Sequence, residues 1–331
     1  MRRRIRPRHL PMIALIDLAI LLLLELAAGL WWRWGRVPPA AVDFNHVEYR
    51  TSRFFQRDRD LFWRLRPSSR IEGEYPGVRE VPTGITINSL GLRGREIAPA
   101  PPPGIVRLVC LGDSHTFGWR VADDQTFPVA LEQLLNRDGR FPRPIEVVNA
   151  GVPGYSSFQG ARFLRQTVLP LQPRAVILAY GSNDDFQALG GNDEELARRL
   201  AGALKQSASP SWFAGSFLIR LLAEEVHRIK YETGAAPRLR PDQTWKYTTE
   251  MIETCRQAGI EVLLFPTGRL DIQEKAARRE GVAALGFFAP EYLAHQSQYT
   301  LPRDTHPNAA GYRAIAAYLA GRPELREILT K

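Results

Sequence analysis

The stretch IVRLVCLGDSHTFG, at residues 105–118, is the most informative part of this sequence about its fold. The first seven form a short apolar run that ends at Gly112, which is typical of a strand buried on both faces of a parallel sheet. Polar residues follow at once, and open α/β sheets bind their ligands at the ends of such strands. We therefore predict a buried strand over residues 105–111 and, directly after it, a turn that carries chemistry.

Outward from this stretch, apolar runs alternate with amphipathic segments. Further strands are predicted at residues 145–150, 175–180 and 260–265. Helices are predicted at residues 125–136, 158–169, 192–206, 212–230, 243–258 and 307–320. This alternation indicates a parallel sheet with helices on both faces, and we assign it to one domain over residues 105–331.

The N-terminus predicts a membrane anchor. Residues 11–30 are a run of mostly apolar residues that is long enough for the hydrocarbon core of a bilayer. Five arginines lie at residues 2–8, so the positive-inside rule makes residues 1–36 a cytoplasmic tail and anchor and leaves the rest of the chain extracytoplasmic. The alternative is a cleaved signal peptide.

The net charge of +9 gives no sign of nucleic-acid binding. Much of the excess lies in residues 1–36, which hold seven arginines against two acidic residues. A basic segment beside an apolar run is explained by membrane topology. We therefore expect no nucleic-acid partner.

Two segments depart from the strand–helix alternation. Residues 37–104 begin as a linker and then carry turn signals and short alternating runs, which predict a small β-containing segment. Residues 190–245 are unusually long for a connection between two strands. Their apolar residues fit a lid or an acyl-chain groove as well as they fit ordinary core.

Polar residues at the predicted strand ends supply the parts of a serine esterase. Such an enzyme needs a nucleophile, a base, an orienting carboxylate and donors to the developing oxyanion. Ser114 follows the first strand, and His306 and Asp304 precede the last helix. We predict Ser114 as nucleophile, His306 as base and Asp304 as its partner. The Ser114 N–H, the Gly151 N–H and the Asn183 side chain are the predicted oxyanion donors.

Other polar residues receive lesser assignments. Ser182 is given no catalytic role, and Gly154 is assigned to a turn. His115 adjoins the nucleophile and either lines the pocket or serves the structure. With two cysteines in the chain and no ligand spacing among the acidic residues, we expect no disulfide scaffold, no metal and no organic cofactor.

The ordered set Gly112-Asp113-Ser114, Gly151, Asn183 and His306 resembles the SGNH hydrolase superfamily, also called GDSL-like esterases and lipases. The resemblance covers roughly residues 105–320. It implies a flavodoxin-like three-layer α/β/α sandwich, hydrolysis of carboxylic esters and the roles given above.

Two features of the sequence bear on this resemblance. Many members of the superfamily place the aspartate three residues before the histidine, where this chain has Arg303. Asp304, two residues before, resembles the arrangement in bacterial polysaccharide O-acetylation proteins. The stretches INSLGLRGREI at residues 87–97 and GDSHTFGWRV at residues 112–121 look like membrane-anchored or exported bacterial members.

Three functions follow from this sequence. The first is a serine ester hydrolase that acts on an O-acyl ester of a cell-envelope glycan or a lipid through an acyl-enzyme on Ser114. The second is an O-acyltransferase of an envelope polysaccharide, which would use the same site. The third is a non-catalytic envelope-assembly component, which the intact Ser114 and His306 disfavour.

Overall fold

The computed structural model describes residues 10–30, 55–71, 84–137, 139, 141–188, 192–206, 236–302 and 304–330. The strands are β1 (Phe55–Asp58), β2 (Phe62–Leu65), β3 (Ser69–Ile71), β4 (Ile85–Ile87), β5 (Val106–Gly112), β6 (Ile145–Gly151), β7 (Ala175–Ala179), β8 (Gln187–Ala188), β9 (Ala236–Pro237), β10 (Glu261–Leu264) and β11 (Ala283–Ala284). The helices are α1 (Leu10–Leu30), α2 (Ser114–Phe117), α3 (Phe127–Asn136), α4 (Ser157–Phe163), α5 (Asp193–Gln206), α6 (Pro241–Gln257), α7 (Leu270–Glu280), α8 (Pro290–Ala294), α9 (Gln296–Tyr299), α10 (Ala309–Ala320) and α11 (Pro323–Thr330). The predicted helix at residues 212–230 lies outside the described residues.

A five-stranded parallel sheet forms the centre of the molecule. Its strand order is β11-β10-β7-β5-β6, and each neighbouring pair is parallel. Every residue of β5 is buried, because this strand has neighbours on both sides and helices on both faces. The chain moves from β5 outward to β6 and then returns past β5 to β7. The carboxyl ends of these three strands therefore lie side by side, where such a reversal opens a crevice.

Two hydrophobic cores cover the two faces of the sheet. Alternate residues of β5 point to opposite faces, so Val109 and Leu111 enter one core while Leu108 and Cys110 enter the other. The first core is built with α4 and α6, and the second with α3, α10 and α11. These layers confirm the predicted three-layer α/β/α sandwich.

The described part of the small β-containing segment packs into the first core. Its strands form two antiparallel pairs, β1 with β2 and β3 with β4. Trp63 of β2 is fully buried, and its Nε1–H donates to the Pro153 carbonyl at 3.1 Å. A single bridge also joins Arg93 to Asn149 of β6. This segment therefore reaches the turn after β6, next to the polar strand ends.

Several elements differ from the sequence prediction. The strand β11 was not predicted, because it pairs over only two residues and both are alanines, which have little preference for a strand. The helix predicted at residues 158–169 begins as α4 and continues through a π turn at Leu164–Val168 to a 3₁₀ turn at Leu169–Leu171. Pro170 accounts for this change, because it has no N–H to continue a regular helix.

The N-terminal helix α1 coincides with the predicted anchor at residues 11–30. Within the described ranges, no helix has both the length and the apolar character that a bilayer crossing requires. The membrane anchor and the extracytoplasmic location stay predictions.

Candidate active site

The nucleophile candidate lies on a sharp turn from β5 into α2. A Cβ atom on Gly112 would lie 2.1 Å from Thr116 Oγ1 and 2.6 Å from the Ala179 carbonyl, so only glycine lets the chain turn here. Asp113 then caps α2, because its side chain accepts the N–H of His115. Ser114 is thereby held as the first residue of α2, at the end of a strand that has neighbours on both sides.

The structure brings Ser114, His306 and Asp304 together. The Ser114 Oγ lies 2.7 Å from His306 Nε2, although 192 residues separate the two in sequence. The other ring nitrogen, His306 Nδ1, lies 2.6 Å from Asp304 Oδ1. An ionised carboxylate can only accept, so Nδ1 carries the proton and Nε2 of the neutral ring accepts from the serine hydroxyl. This is the orientation that a general base requires.

Asp304 is fixed by contacts on both of its oxygens. Oδ1 also accepts the backbone N–H groups of Thr305 at 2.7 Å and His306 at 3.1 Å. Oδ2 accepts from Arg120 at 3.1 Å. A carboxylate two residues before the histidine can therefore hold the imidazole, although many superfamily members place it three residues before.

The surroundings of the triad candidates shift their pKa values. Burial lowers the pKa of His306 below its usual value, and the hydrogen bond that its ring donates to Asp304 only partly opposes this. Burial alone would raise the pKa of Asp304, but the hydrogen bond and charge of His306 outweigh it and hold that pKa below its usual range. Near neutral pH, Asp304 is therefore ionised and His306 is neutral, ready to accept a proton.

Asn183 lies in the turn after β7, as predicted, and is buried. Its Nδ2 donates to the Tyr155 carbonyl at 3.0 Å, which ties this turn to the one after β6. A side-chain amide has two N–H groups. Among the described residues, no acceptor meets the second N–H, which is therefore available to another acceptor.

Gly151 differs from its predicted role. Its N–H already donates to Asn149 Oδ1 at 3.0 Å. A Cβ atom at Gly151 would lie 2.1 Å from the Phe117 nitrogen, because α2 passes directly over this end of β6. The structure thus gives Gly151 a packing function beneath the nucleophile helix.

We expect Gly151→Ala to destabilise the protein by about 3 kcal/mol, since the added methyl group must displace the backbone of α2. Thermal unfolding followed by circular dichroism measures this change. Gly286→Ala is the matched control, because a Cβ atom there meets nothing within 4 Å. Equal melting temperatures for the two variants would contradict the packing role.

Sequence reasoning did not find the buried hub at Asp113. Its Oδ2 accepts from Ser182 Oγ at 2.7 Å and from Thr267 Oγ1 at 3.0 Å, and its Oδ1 lies 3.0 Å from His115 Nδ1. The Ser182 hydroxyl therefore binds Asp113, whereas the Ser114 hydroxyl is the one that lies beside His306 Nε2. The order of these residues in sequence carries no signal for such a hub, because Thr267 lies 154 residues from Asp113.

Arg93 is a second residue whose function sequence reasoning missed. It is buried, and its guanidinium donates to the carbonyls of Phe117, Gly118 and Val121 and to Asp123. These carbonyls lie at the end of α2 and in the turn after it. The sequence did offer a sign of this function, because the stretches at residues 87–97 and 112–121 both resemble membrane-anchored or exported bacterial members of the superfamily. Arg93 joins them physically.

Arg93→Met is expected to destabilise the protein by about 3–5 kcal/mol, because it leaves Asp123 and three carbonyl groups without their buried partner. Arg95→Met is the matched control two residues away, since Arg95 is exposed and its ion pair with Glu132 is worth about 1 kcal/mol or less. Urea titrations of both variants measure the difference. A similar loss of stability in the two variants would show that the buried contacts of Arg93 do not stabilise α2 and the turn after it.

The described residues include neither a cluster of metal ligands nor an exposed thiol. Among the described residues, no group of three or more His, Cys, Asp or Glu side chains is arranged to hold a metal ion. Both cysteines are buried, and burial raises the pKa of each thiol. Neither thiol is therefore readily ionised to the reactive thiolate.

More than half of the chain, residues 110–314, matches the model of the GDSL-like Lipase/Acylhydrolase family. The chain belongs to this family, and its class is that of the carboxylic ester hydrolases. This confirms the predicted resemblance to the SGNH hydrolases. No curated protein matches the chain in sequence.

Solved structures with a similar fold include TesA, the psychrotrophic esterase EstA from Pseudoalteromonas sp. and a two-domain esterase (CEX) active on acetylated mannans. TesA is 18% identical, with 67% of this chain and 99% of TesA covered and a TM-score of 0.46. EstA is 13% identical, with 68% and 99% covered and a TM-score of 0.45. The two-domain esterase is 16% identical, with 69% and 50% covered and a TM-score of 0.45. These values are too low for the neighbours to bear on the substrate.

Proposed function

We propose that this chain hydrolyses carboxylic esters through an acyl-enzyme on Ser114. The observation that carries the proposal is the contact of 2.7 Å between Ser114 Oγ and His306 Nε2. A serine hydroxyl is a weak nucleophile on its own and needs a base within hydrogen-bond reach. His306 is such a base, and Asp304 fixes its tautomer and orientation.

The reaction has two halves. In the first, Ser114 Oγ attacks the ester carbonyl carbon while its proton passes to His306 Nε2. The tetrahedral intermediate then collapses, and the alcohol leaves with the proton from His306. In the second half, His306 takes a proton from water, the resulting hydroxide attacks the acyl-enzyme, and the carboxylic acid is released as Ser114 recovers its proton.

Three donors are proposed for the oxyanion. The first two are the Ser114 N–H, at the start of α2, and the free N–H of the Asn183 amide. For the third we assign the Gly154 N–H in place of the Gly151 N–H. Within the described part of the chain, the Gly154 N–H has no hydrogen-bond partner, and the next carbonyl, that of Tyr155, already receives Asn183. Preorganised donors of this kind stabilise the charge that develops in the transition state.

Asn183→Ala is expected to lower kcat by about 100-fold to 1000-fold with little change in KM, because the lost donor acts on the transition state rather than on the ester. Steady-state kinetics with p-nitrophenyl acetate measures both constants, and a thermal melt reports any loss of folding from the Tyr155 contact. A kcat within threefold of wild type would remove Asn183 from the oxyanion site.

The proposed substrate is an O-acyl ester on a cell-envelope glycan or on a lipid. The support is the predicted anchor at residues 11–30, which would hold the enzyme at the envelope with its catalytic domain on the extracytoplasmic side. Trp119 adds a second support, because its ring lies 6.3 Å from that of His306. A half-buried indole beside the base offers a flat apolar surface to a sugar ring or an acyl chain.

Hydrolysis of p-nitrophenyl esters from acetyl to palmitoyl tests this proposal on the full-length protein in detergent. Activity confined to short acyl chains supports an O-acetyl glycan, and activity that rises with chain length supports a lipid ester. An absence of turnover with every chain, in a folded protein, would contradict ester hydrolysis. Release of acetate from an acetylated glycan, compared with transfer to an added glycan, then separates hydrolysis from acyl transfer.

A further inference from the structure

A second histidine lies against the proposed base. The rings of His115 and His306 stack, with their centroids 4.7 Å apart and their planes at 27°. His115 follows the nucleophile directly in sequence, so the turn that presents Ser114 also presents this ring. The mechanism described above makes no use of it.

His115 is held firmly in this place. Its Nδ1 lies 3.0 Å from Asp113 Oδ1. Burial alone would raise the pKa of Asp113, but the charge and hydrogen bonds of His115 outweigh it and lower that pKa, so Asp113 is an ionised acceptor. The edges of Phe287 and Phe288 lie against the ring at centroid distances of 5.4 and 5.6 Å. The imidazole therefore cannot turn away from His306 without breaking buried contacts.

The charged groups around His306 have opposite effects on its protonation. Asp304, with Arg120 behind it, faces Nδ1 from the loop before α10, and its negative charge favours protonation of His306. Asp113, at the start of α2, acts in the same direction from further away. His115 acts against both, because two stacked imidazoles repel one another when both carry an added proton.

We propose that His115 is a positioning residue for His306: its stacked ring holds the His306 imidazole against Ser114 and opposes protonation of that ring between turnovers. The catalytic part of this inference rests on the proposed ester hydrolysis. Burial is the largest influence against the imidazolium, which cannot accept the proton of Ser114, and His115 adds to burial against the two carboxylates that favour it. The stack keeps the base available in mildly acidic surroundings.

The test uses His115→Phe, which keeps a flat ring, and His115→Gln, which keeps a donor for Asp113. His295→Gln is the matched control, because His295 is exposed and lies outside the site. The first measurement is a side-chain ¹⁵N NMR titration of His306, which needs no enzymatic activity. The second is the pH dependence of kcat/KM for p-nitrophenyl acetate.

In both His115 variants, we expect His306 to protonate at a higher pH than in wild type. The value of kcat/KM should fall about fivefold near pH 5.5 and stay within about twofold near pH 9, where His306 is neutral in every variant. His295→Gln should match wild type in both measurements. A ring that served folding alone would lower activity equally at every pH.

An unchanged His306 titration in folded His115→Phe and His115→Gln would overturn this inference. Should the phenylalanine variant fail to fold, the glutamine variant decides the matter by the same criterion. The two proposals fail in different ways. Absence of Ser114-dependent turnover in wild type contradicts ester hydrolysis, whereas normal turnover with an unmoved His306 titration contradicts only the role of His115.

Discussion

Ser114→Ala is expected to abolish ester hydrolysis, with kcat lowered by roughly a thousandfold or more and the melting temperature nearly unchanged. The reason is that Ser114 Oγ is the hydroxyl within reach of His306 Nε2, so no acyl-enzyme can form without it. The small change in volume at the start of α2 leaves Asp113 to cap the helix. Steady-state kinetics with p-nitrophenyl acetate, beside a thermal melt, measures the two effects.

Ser182→Ala is the matched control for this result. Ser182 also lies at a strand end, but its hydroxyl donates to Asp113 at 2.7 Å and does not meet the base. We expect it to lower kcat by less than about tenfold, through loss of one contact to the hub. Residual turnover in Ser114→Ala above one tenth of the wild-type rate would contradict the assignment of the nucleophile.

His306→Ala is expected to lower kcat about as much as Ser114→Ala does, because the hydroxyl and the base act as one unit. The double variant Ser114→Ala/His306→Ala should then be no worse than either single variant. Kinetics of the three proteins measured side by side test this. Losses that multiply in the double variant would show that the two residues do not work together.

The pH dependence of the wild-type enzyme follows from the pKa of His306. Burial lowers that pKa, and the base is active only when neutral. Activity should therefore be lost as pH falls through the pKa of His306, and the loss should lie below the usual imidazole value of about 6.5. An acid limb of kcat/KM at or above that value would contradict the environment described for His306.

The sequence was sufficient to predict the sheet at the centre of the fold and three polar residues, Ser114, His306 and Asp304, that the structure brings together. The run at residues 105–111 could be recognised because β5 is buried on both faces, so that all of its residues other than Arg107 are apolar or glycine. Ser114 and His306 could be recognised from the sequence because Ser114 follows a predicted strand and His306 precedes a predicted helix. Asp304 was predicted as the partner of His306 because it is a carboxylate two residues away in the sequence, and the structure places its Oδ1 2.6 Å from His306 Nδ1.

The remaining parts depend on contacts between distant residues. The N–H of Gly151 was predicted as a donor from its place at a strand end, but the Asn149 side chain turns back to accept it. The Asp113 hub and the stack of His115 on His306 join residues that lie far apart in the sequence, and no local pattern predicts them. Arg93 could be noticed in its motif, but its partners could not be named before α2 and its turn were placed.

The most direct test of the acyl-enzyme is intact-mass spectrometry of the full-length protein after treatment with a fluorophosphonate, followed by peptide mapping. The account predicts one adduct on the peptide that carries Ser114. The adduct should be absent from Ser114→Ala, strongly slowed in His306→Ala and retained in Ser182→Ala. A folded wild-type protein that takes no label, or takes it on Ser182, would contradict the account.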